Sequence, residues 1–217
     1  MPGRTVEGDL SRRDCAVQHS RVITAGMTDL TALQDIPADA FRQISRGVAD
    51  RRSPFRTPTL ATMGADGRPG LRTVVLRGFD PATRRLVIHT DRRAAKVAEI
   101  GADPRVALHV WDDGSQVQVC LDGAAALQPE DVARSEWDRL HAGSRETYRV
   151  RPTPGTALAD PAVADTDRVD EDAAFANFAV IAVDVDGMEW LHLARDGHRR
   201  AAFTWTADVM QAKWLVP

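Results

Sequence analysis

The chain has 217 residues, 43% of them hydrophobic and 27% charged, with a formal net charge of −3 and an isoelectric point near 6.1. That is the make-up of one ordinary soluble domain with a sizeable core. It argues against a broad nucleic-acid footprint, and no apolar run approaches the length of a membrane span.

Cys15 and Cys120 are too few for a disulfide framework, so a reduced, cytoplasmic setting is expected. Residues 1–26 carry Gly, Arg, Asp and Ser without a sustained period and lack the apolar stretch of a signal peptide. They read as a disordered arm ahead of a single domain over residues 27–217, with Met27 as the expected natural start. Residues 37–48 read as an amphipathic helix, with Pro37 in its first turn and Phe41, Ile44 and Val48 at helical spacing. Residues 57–63 form the first expected strand, and Asp66-Gly67 turns the chain into the next.

The most informative stretch is residues 71–96. Two runs of β-formers, residues 73–76 and 86–88, flank the polar turn Asp80-Pro81-Ala82-Thr83, which predicts a hairpin. Arg72 and Arg77 bracket the first run, and Arg92, Arg93 and Lys96 follow the second, with His89-Thr90-Asp91 between. Pairing the runs gathers these cations beside the Thr90 hydroxyl. Such a cluster suits a phosphate, since Arg gives bidentate contacts and Lys a mobile point charge. The plainer alternative is that each cation is merely solvated at a strand end.

A short helix is expected over residues 94–100, which puts Lys96 in its first turns, where helix amides and cations face an anion together. Strands follow over 105–111 and 116–121, the second alternating cleanly. A helix over 129–141 carries Ala133, Trp137 and Leu140 on one stripe, read as core. The Pro- and Gly-rich loop 145–156, with three arginines and Tyr148, is a second candidate for holding an anion. Residues 159–172 are acidic and small, and read as a mobile excursion. Strands are expected over 178–185 and 188–193, joined by a tight turn at Asp186-Gly187, and over 198–205. Seven or eight short, largely antiparallel strands with two or three helices make an α+β domain built on a β-barrel.

Other chemistries find little support. The six histidines show no metal-ligand spacing, Ser53 and Ser115 lack a His and acid context, and Gly64-Ala65-Asp66-Gly67 is too short for a phosphate loop.

The motifs resemble the pyridoxamine 5′-phosphate oxidase family. Its R-x-V-L-L-K is matched by Arg72-Thr73-Val74-Val75-Leu76-Arg77, its Y-T-N by His89-Thr90-Asp91, and its basic helix start by Arg93 to Lys96. Asp103-Pro104-Arg105-Val106, Trp111 and Gln116-Val117-Gln118-Val119 continue the match, which covers residues 55–127. The resemblance implies a mostly antiparallel FMN-binding split β-barrel with peripheral helices, holding FMN at a homodimer interface. It implies that residues 72–77 line the flavin, with His89 and Thr90 beside it. Arg93 and Lys96 would meet the phosphate, Gln116 the polar ring edge, and Trp190 would be a further cofactor contact. The family's Ser-Arg before the Lys is Ala94-Ala95 here.

For a phosphorylated substrate, the resemblance points to Arg77, Tyr148, Arg151 and either Arg199 or Arg200, with Gly155 at a position where the family has Ser. The implied activity is FMN-dependent oxidation of pyridoxamine or pyridoxine 5′-phosphate. The alternatives are another FMN oxidoreductase of this fold, such as a flavin reductase, and a flavin binder without turnover.

Overall fold

The computed structural model describes residues 32–207 and 209–217. The expected N-terminal arm and the Met27 start lie outside the described residues. Helix α1 (Ile36–Ala49) opens with Pro37 in its first turn and buries Ile36, Ala40 and Ile44 against the sheet. Then come β1 (Thr59–Met63), β2 (Pro69–Thr73), β3 (Leu76–Asp80) and β4 (Arg85–Asp91), followed by α2 (Ala95–Ala102). Strands β5 (Arg105–Asp112) and β6 (Val117–Leu127) lead to α3 (Glu130–Asp138), α4 (Ala142–Arg145), α5 (Ala162–Thr166) and α6 (Glu171–Asn177). The chain closes with β7 (Phe178–His192), β8 (Arg199–Thr206) and β9 (Val209–Leu215).

All neighbouring strands are antiparallel, in the order β2-β1-β5-β6-β7-β4-β3, with β8 added beside β7 and β9 beside β8. The two ends of that seven-strand path, β2 and β3, are consecutive in sequence and separated only by Val74 and Val75. So short a link forces the sheet to curl until its edges meet, and the Val74 amide still donates to the Pro58 carbonyl at 3.0 Å, one step beyond the β1–β2 ladder. This corrects the expectation of a single strand over 73–76. The run of β-formers breaks at Val74-Val75 because the chain crosses there from one edge to the other. The bulge between Leu76 and Gly78 then lets Arg77 project outward while Leu76 stays in the core.

The expected hairpin at Asp186-Gly187 is also corrected, since β7 runs unbroken through it. Its first half pairs with β4 and its second with β8, while β6 follows it along nearly the whole length. A register shift opposite Asp122 and Gly123 bends both strands. A Cβ on Gly123 would overlap the Asp184 carbonyl, so the close approach at this bend needs glycine. Within the acidic excursion, Asp170 caps α6 by accepting from the Ala173 amide at 2.9 Å, so part of that stretch is an ordered helix.

The barrel interior is filled by Leu60, Leu76, Leu86, Ile88, Leu108, Val110 and Leu121 among others. The void among them is about 10 Å³, no more than a single water requires. A ligand therefore has to bind on the rim. A second, aromatic core of Trp137, Tyr148, Phe175 and Phe178 sits where α3, α6 and the segment before Arg149 meet β7. Its rings meet edge-on or tilted at 5.0–5.8 Å.

Candidate cofactor and substrate site

The cations of the central stretch divide about the end of β4. Strand alternation turns Thr90 to one side and His89 to the other. On the Thr90 side, Lys96 Nζ donates to Thr90 Oγ1 at 2.9 Å. Lys96 is half-buried, and burial together with the neighbouring Arg72 guanidinium lowers its pKa. Arg72 comes in from β2 and donates to Glu99 Oε2 at 2.8 Å and to Thr62 Oγ1, while Thr62 donates to the same Glu99 oxygen at 2.5 Å. The first turn of α2 lies beside both cations, and its N-cap, Ala94, offers no side-chain acceptor. Two cations crowded enough to depress a lysine, next to an uncapped helix start, form a site that favours a polyanion.

On the other side, Arg77 is exposed and makes no ion pair within 4.0 Å among the described residues. It lies close enough to His89 and Tyr148 to act electrostatically on both. The His89 side chain is 5% exposed and meets the Phe178 ring edge-on at 5.0 Å. Its Nε2 is 3.4 Å from Glu136 Oε2 on α3, but neither ring nitrogen is placed for a hydrogen bond. Burial, helped by Arg77 and opposed by Glu136, pushes the His89 pKa down to about 4. Tyr148, buried between Trp137 and Phe178, is pushed up to about 12 by burial and by Asp91, against the pull of Arg77.

His89 thus favours its neutral form in the folded chain. The stability it contributes is full above the unfolded value of 6.5 and is lost as pH falls from there towards 4. A shift of this size is worth roughly 3 kcal/mol at most. Urea unfolding at pH 7 and pH 4.5 is expected to show a steeper acid loss for the parent than for His89→Gln. Equal losses would contradict a buried neutral imidazole.

Arg93 lies at the corner itself. It grips Asp91 through Nε at 3.0 Å and Nη2 at 2.7 Å, and it donates to the carbonyls of Val150 and Arg151. The arginines of the second anion candidate are all matched by carboxylates. Arg145 pairs with Glu171 at 3.0 Å, Arg149 with Glu146 at 3.1 Å and Arg151 with Asp167 at 2.6 Å.

The remaining expected residues lie elsewhere. Val74 and Leu76 point into the core and Val75 is half-buried, so what Thr73 to Leu76 offer a rim ligand is mainly backbone. Trp190 is fully buried in the barrel core, with no acceptor for its indole N–H among the described residues. Gln116, in a left-handed turn with φ 55°, folds its amide back onto the Asp113 carbonyl at 2.7 Å. Arg199 and Arg200 line a groove of about 270 Å³ with His198, Trp214 and Leu215. Arg200 is held by Glu189 at 2.9 Å and Arg199 by Asp196 at 3.3 Å. This group sits where β7 ends at His192, whereas His89 pairs with Val180. Twelve residues along β7 separate the two places, roughly 40 Å if the strand were straight.

Sequence reasoning passed over the acidic members: Glu99, Asp91 and Glu136. A usable signal was present for one of them, since Lys96 and Glu99 are three apart on a helix and so share a face.

The sequence model of the family described as "Pyridoxamine 5′-phosphate oxidase, FMN-binding domain" matches residues 39–129. Those residues run from α1 through β6 and include both cation clusters up to Lys96. Over those residues the chain is similar to the FMN-binding domain of the pyridoxamine 5′-phosphate oxidase family. Among curated relatives, a pyridoxine/pyridoxamine 5′-phosphate oxidase of Rubrobacter xylanophilus is 35% identical over 139 residues, covering 62% of this chain and 61% of that protein. Another of that name, from Microcystis aeruginosa, is 34% identical over 103 residues, or 47% of this chain and 45% of it. The match thus spans no more than about six-tenths of either relative's length.

Solved structures agree on the fold. PhzG from Burkholderia lata, crystallised with tetrahydrophenazine-1-carboxylic acid, superposes with a TM-score of 0.70 at 17% identity, over 88% of this chain and all of that one. A pyridoxamine 5′-phosphate oxidase-related, FMN-binding protein from Nostoc punctiforme gives 0.68 at 21% identity, over 82% and 96%. The architecture is that of the family's split barrel. Among the described residues, no helix is long and apolar enough to cross a membrane.

Proposed function

We propose that the protein is an FMN-dependent oxidoreductase in which the FMN phosphate is held by Lys96, Arg72, Thr90 and the first turn of α2. The observation that carries this reading is the corner itself, where Lys96, with no carboxylate within 4.0 Å among the described residues, stands beside Arg72, the Thr90 hydroxyl and the first turn of α2. FMN, when bound, supplies acceptance of a hydride from substrate and reoxidation by dioxygen. The chain's own part is to bind and orient. Arg77, with no carboxylate within 4.0 Å among the described residues, is the group available to a substrate anion, and neutral Tyr148 can donate a hydrogen bond beside it. The aromatic core behind Tyr148 keeps water from that side.

Arg199, Arg200 and Gln116 lie beside the His192 end of β7, the opposite end from the stretch that pairs with β4, and so stand apart from Arg77 within one chain. A symmetric dimer, in which one protomer's β7–β8 end meets its partner's β4 corner, would bring both halves together twice. Exposed Leu71 on β2, Trp111 on β5 and Trp214 on β9 are the apolar surface such a contact would cover.

Pyridoxamine or pyridoxine 5′-phosphate is the leading substrate. A non-phosphorylated substrate is the second reading, favoured by the carboxylates already on Arg145, Arg149 and Arg151. Peroxide release by the FMN-loaded protein from pyridoxamine 5′-phosphate and from pyridoxamine separates them. Turnover of the phosphorylated amine alone supports the first reading, and turnover of both at similar KM the second. Failure to release peroxide from either would overturn the oxidase reading.

A further inference from the structure

Arg93 has five N–H donors, and four are spent inside the chain. Two of them lock it to Asp91, whose Oδ1 also accepts the Arg93 amide at 2.8 Å, so the guanidinium is folded back over the corner. The other two reach the carbonyls of Val150 and Arg151 at 3.0 and 2.8 Å. Residues 149–151 run beside 167–169. The Val169 amide donates to the Arg149 carbonyl at 2.7 Å and the Arg151 amide to the Asp167 carbonyl at 2.9 Å. This flap carries Tyr148 at its base, where Asn177 Nδ2 donates to the Tyr148 carbonyl at 2.9 Å. Asp91 acts electrostatically on both Lys96 and Tyr148, so the corner that Arg93 caps faces both halves of the site.

We infer that Arg93 is a positioning residue that docks the Tyr148–Arg151 segment onto the β4 corner, leaving the cofactor phosphate to Lys96 and Arg72. The second clause rests on the FMN reading above. A planar fork reaching two successive carbonyls while bound to a carboxylate is a task for Arg, and Lys cannot reproduce it. Charge is retained in Arg93→Lys but the fork is lost, which separates docking from phosphate binding.

Tyr148 is the only tyrosine in the chain, so phenolate absorbance reports on it alone. The groups facing the phenol are Arg77 on β3 and Asp91 on β4, with Trp137, Phe175 and Phe178 packed around it. In the parent its titration midpoint is expected at about 12. In Arg93→Lys and Arg93→Gln, at pH values where circular dichroism matches the parent, the midpoint is expected to fall by about half a unit or more, towards the free-phenol value. FMN affinity of Arg93→Lys should stay within about threefold of the parent, because no contact to phosphate is removed. Lys96→Ala should do the reverse, weakening FMN about tenfold or more and leaving Tyr148 where it was. An unmoved midpoint in both Arg93 variants overturns the docking role. An FMN loss in Arg93→Lys as large as in Lys96→Ala overturns the assignment of the phosphate. If the parent binds no FMN, the function reading fails, and the tyrosine midpoint still decides the docking.

Discussion

Replacing Arg72 and Lys96 together by alanine is expected to weaken FMN binding by two to four orders of magnitude, with the fold intact. Each removes a charge-assisted contact worth roughly 1.5–3 kcal/mol to a phosphate oxygen. Loss of Arg72 also leaves Glu99 without its cation, and a bare carboxylate beside a phosphate adds repulsion. Glu99 keeps the Thr62 hydroxyl, a bond of 2.5 Å, which holds α2 against β1 in the variant. Flavin fluorescence titration checks the result. Affinity within threefold of the parent would put the phosphate elsewhere, and Arg77 would be the next candidate.

Trp190→Ala is expected to cost about 3–5 kcal/mol of stability, as for other fully buried large side chains cut to alanine. Trp190 is 0% exposed and lies in the same core as Val119, Ala201 and Phe203. Trp190→Phe keeps most of that packing and removes an indole N–H that has no acceptor among the described residues. Its cost should therefore be below about 1.5 kcal/mol. Denaturant midpoints for the two variants, with FMN affinity measured on Trp190→Phe, separate a core role from a cofactor contact. A core role predicts unchanged flavin affinity. A large affinity loss in Trp190→Phe with unchanged stability would return Trp190 to the cofactor.

The local patterns that the sequence displayed were those set by burial on one face. Val117, Val119 and Leu121 alternate inward on β6 as their spacing predicts, and α1 follows the Phe41, Ile44 and Val48 stripe. Val74-Val75 misled because β propensity says nothing about where a chain changes sheet edge, which is a consequence of closure. Asp186-Gly187 misled for a related reason, since a turn dipeptide also suits a bulge in a long strand. Strand β9 gave no alternation because all its residues are exposed except Leu215.

Within the site, Arg72, Thr90 and Lys96 were legible as a group, and the structure draws them together at one corner. The resemblance set Arg93 beside Lys96 as a phosphate ligand. What the sequence could not display was its competition with Asp91 and two carbonyls brought in from residues 150 and 151. Likewise, nothing in the spacing of Arg199 and Arg200 says that β8 pairs them with the His192 end of β7, away from the Phe178 end that packs on Tyr148.

The central claim is that a phosphate-bearing flavin binds at the Lys96–Arg72 corner, and the most direct test compares FMN with riboflavin, which lacks only the phosphate. Equilibrium titration of flavin-free protein is expected to give one FMN per chain, with riboflavin weaker by about a hundredfold or more, the worth of the two charge-assisted contacts from Lys96 and Arg72. In Lys96→Ala that preference should shrink while riboflavin affinity holds. Equal affinity for the two flavins, or a preference that Lys96→Ala leaves untouched, would contradict the account.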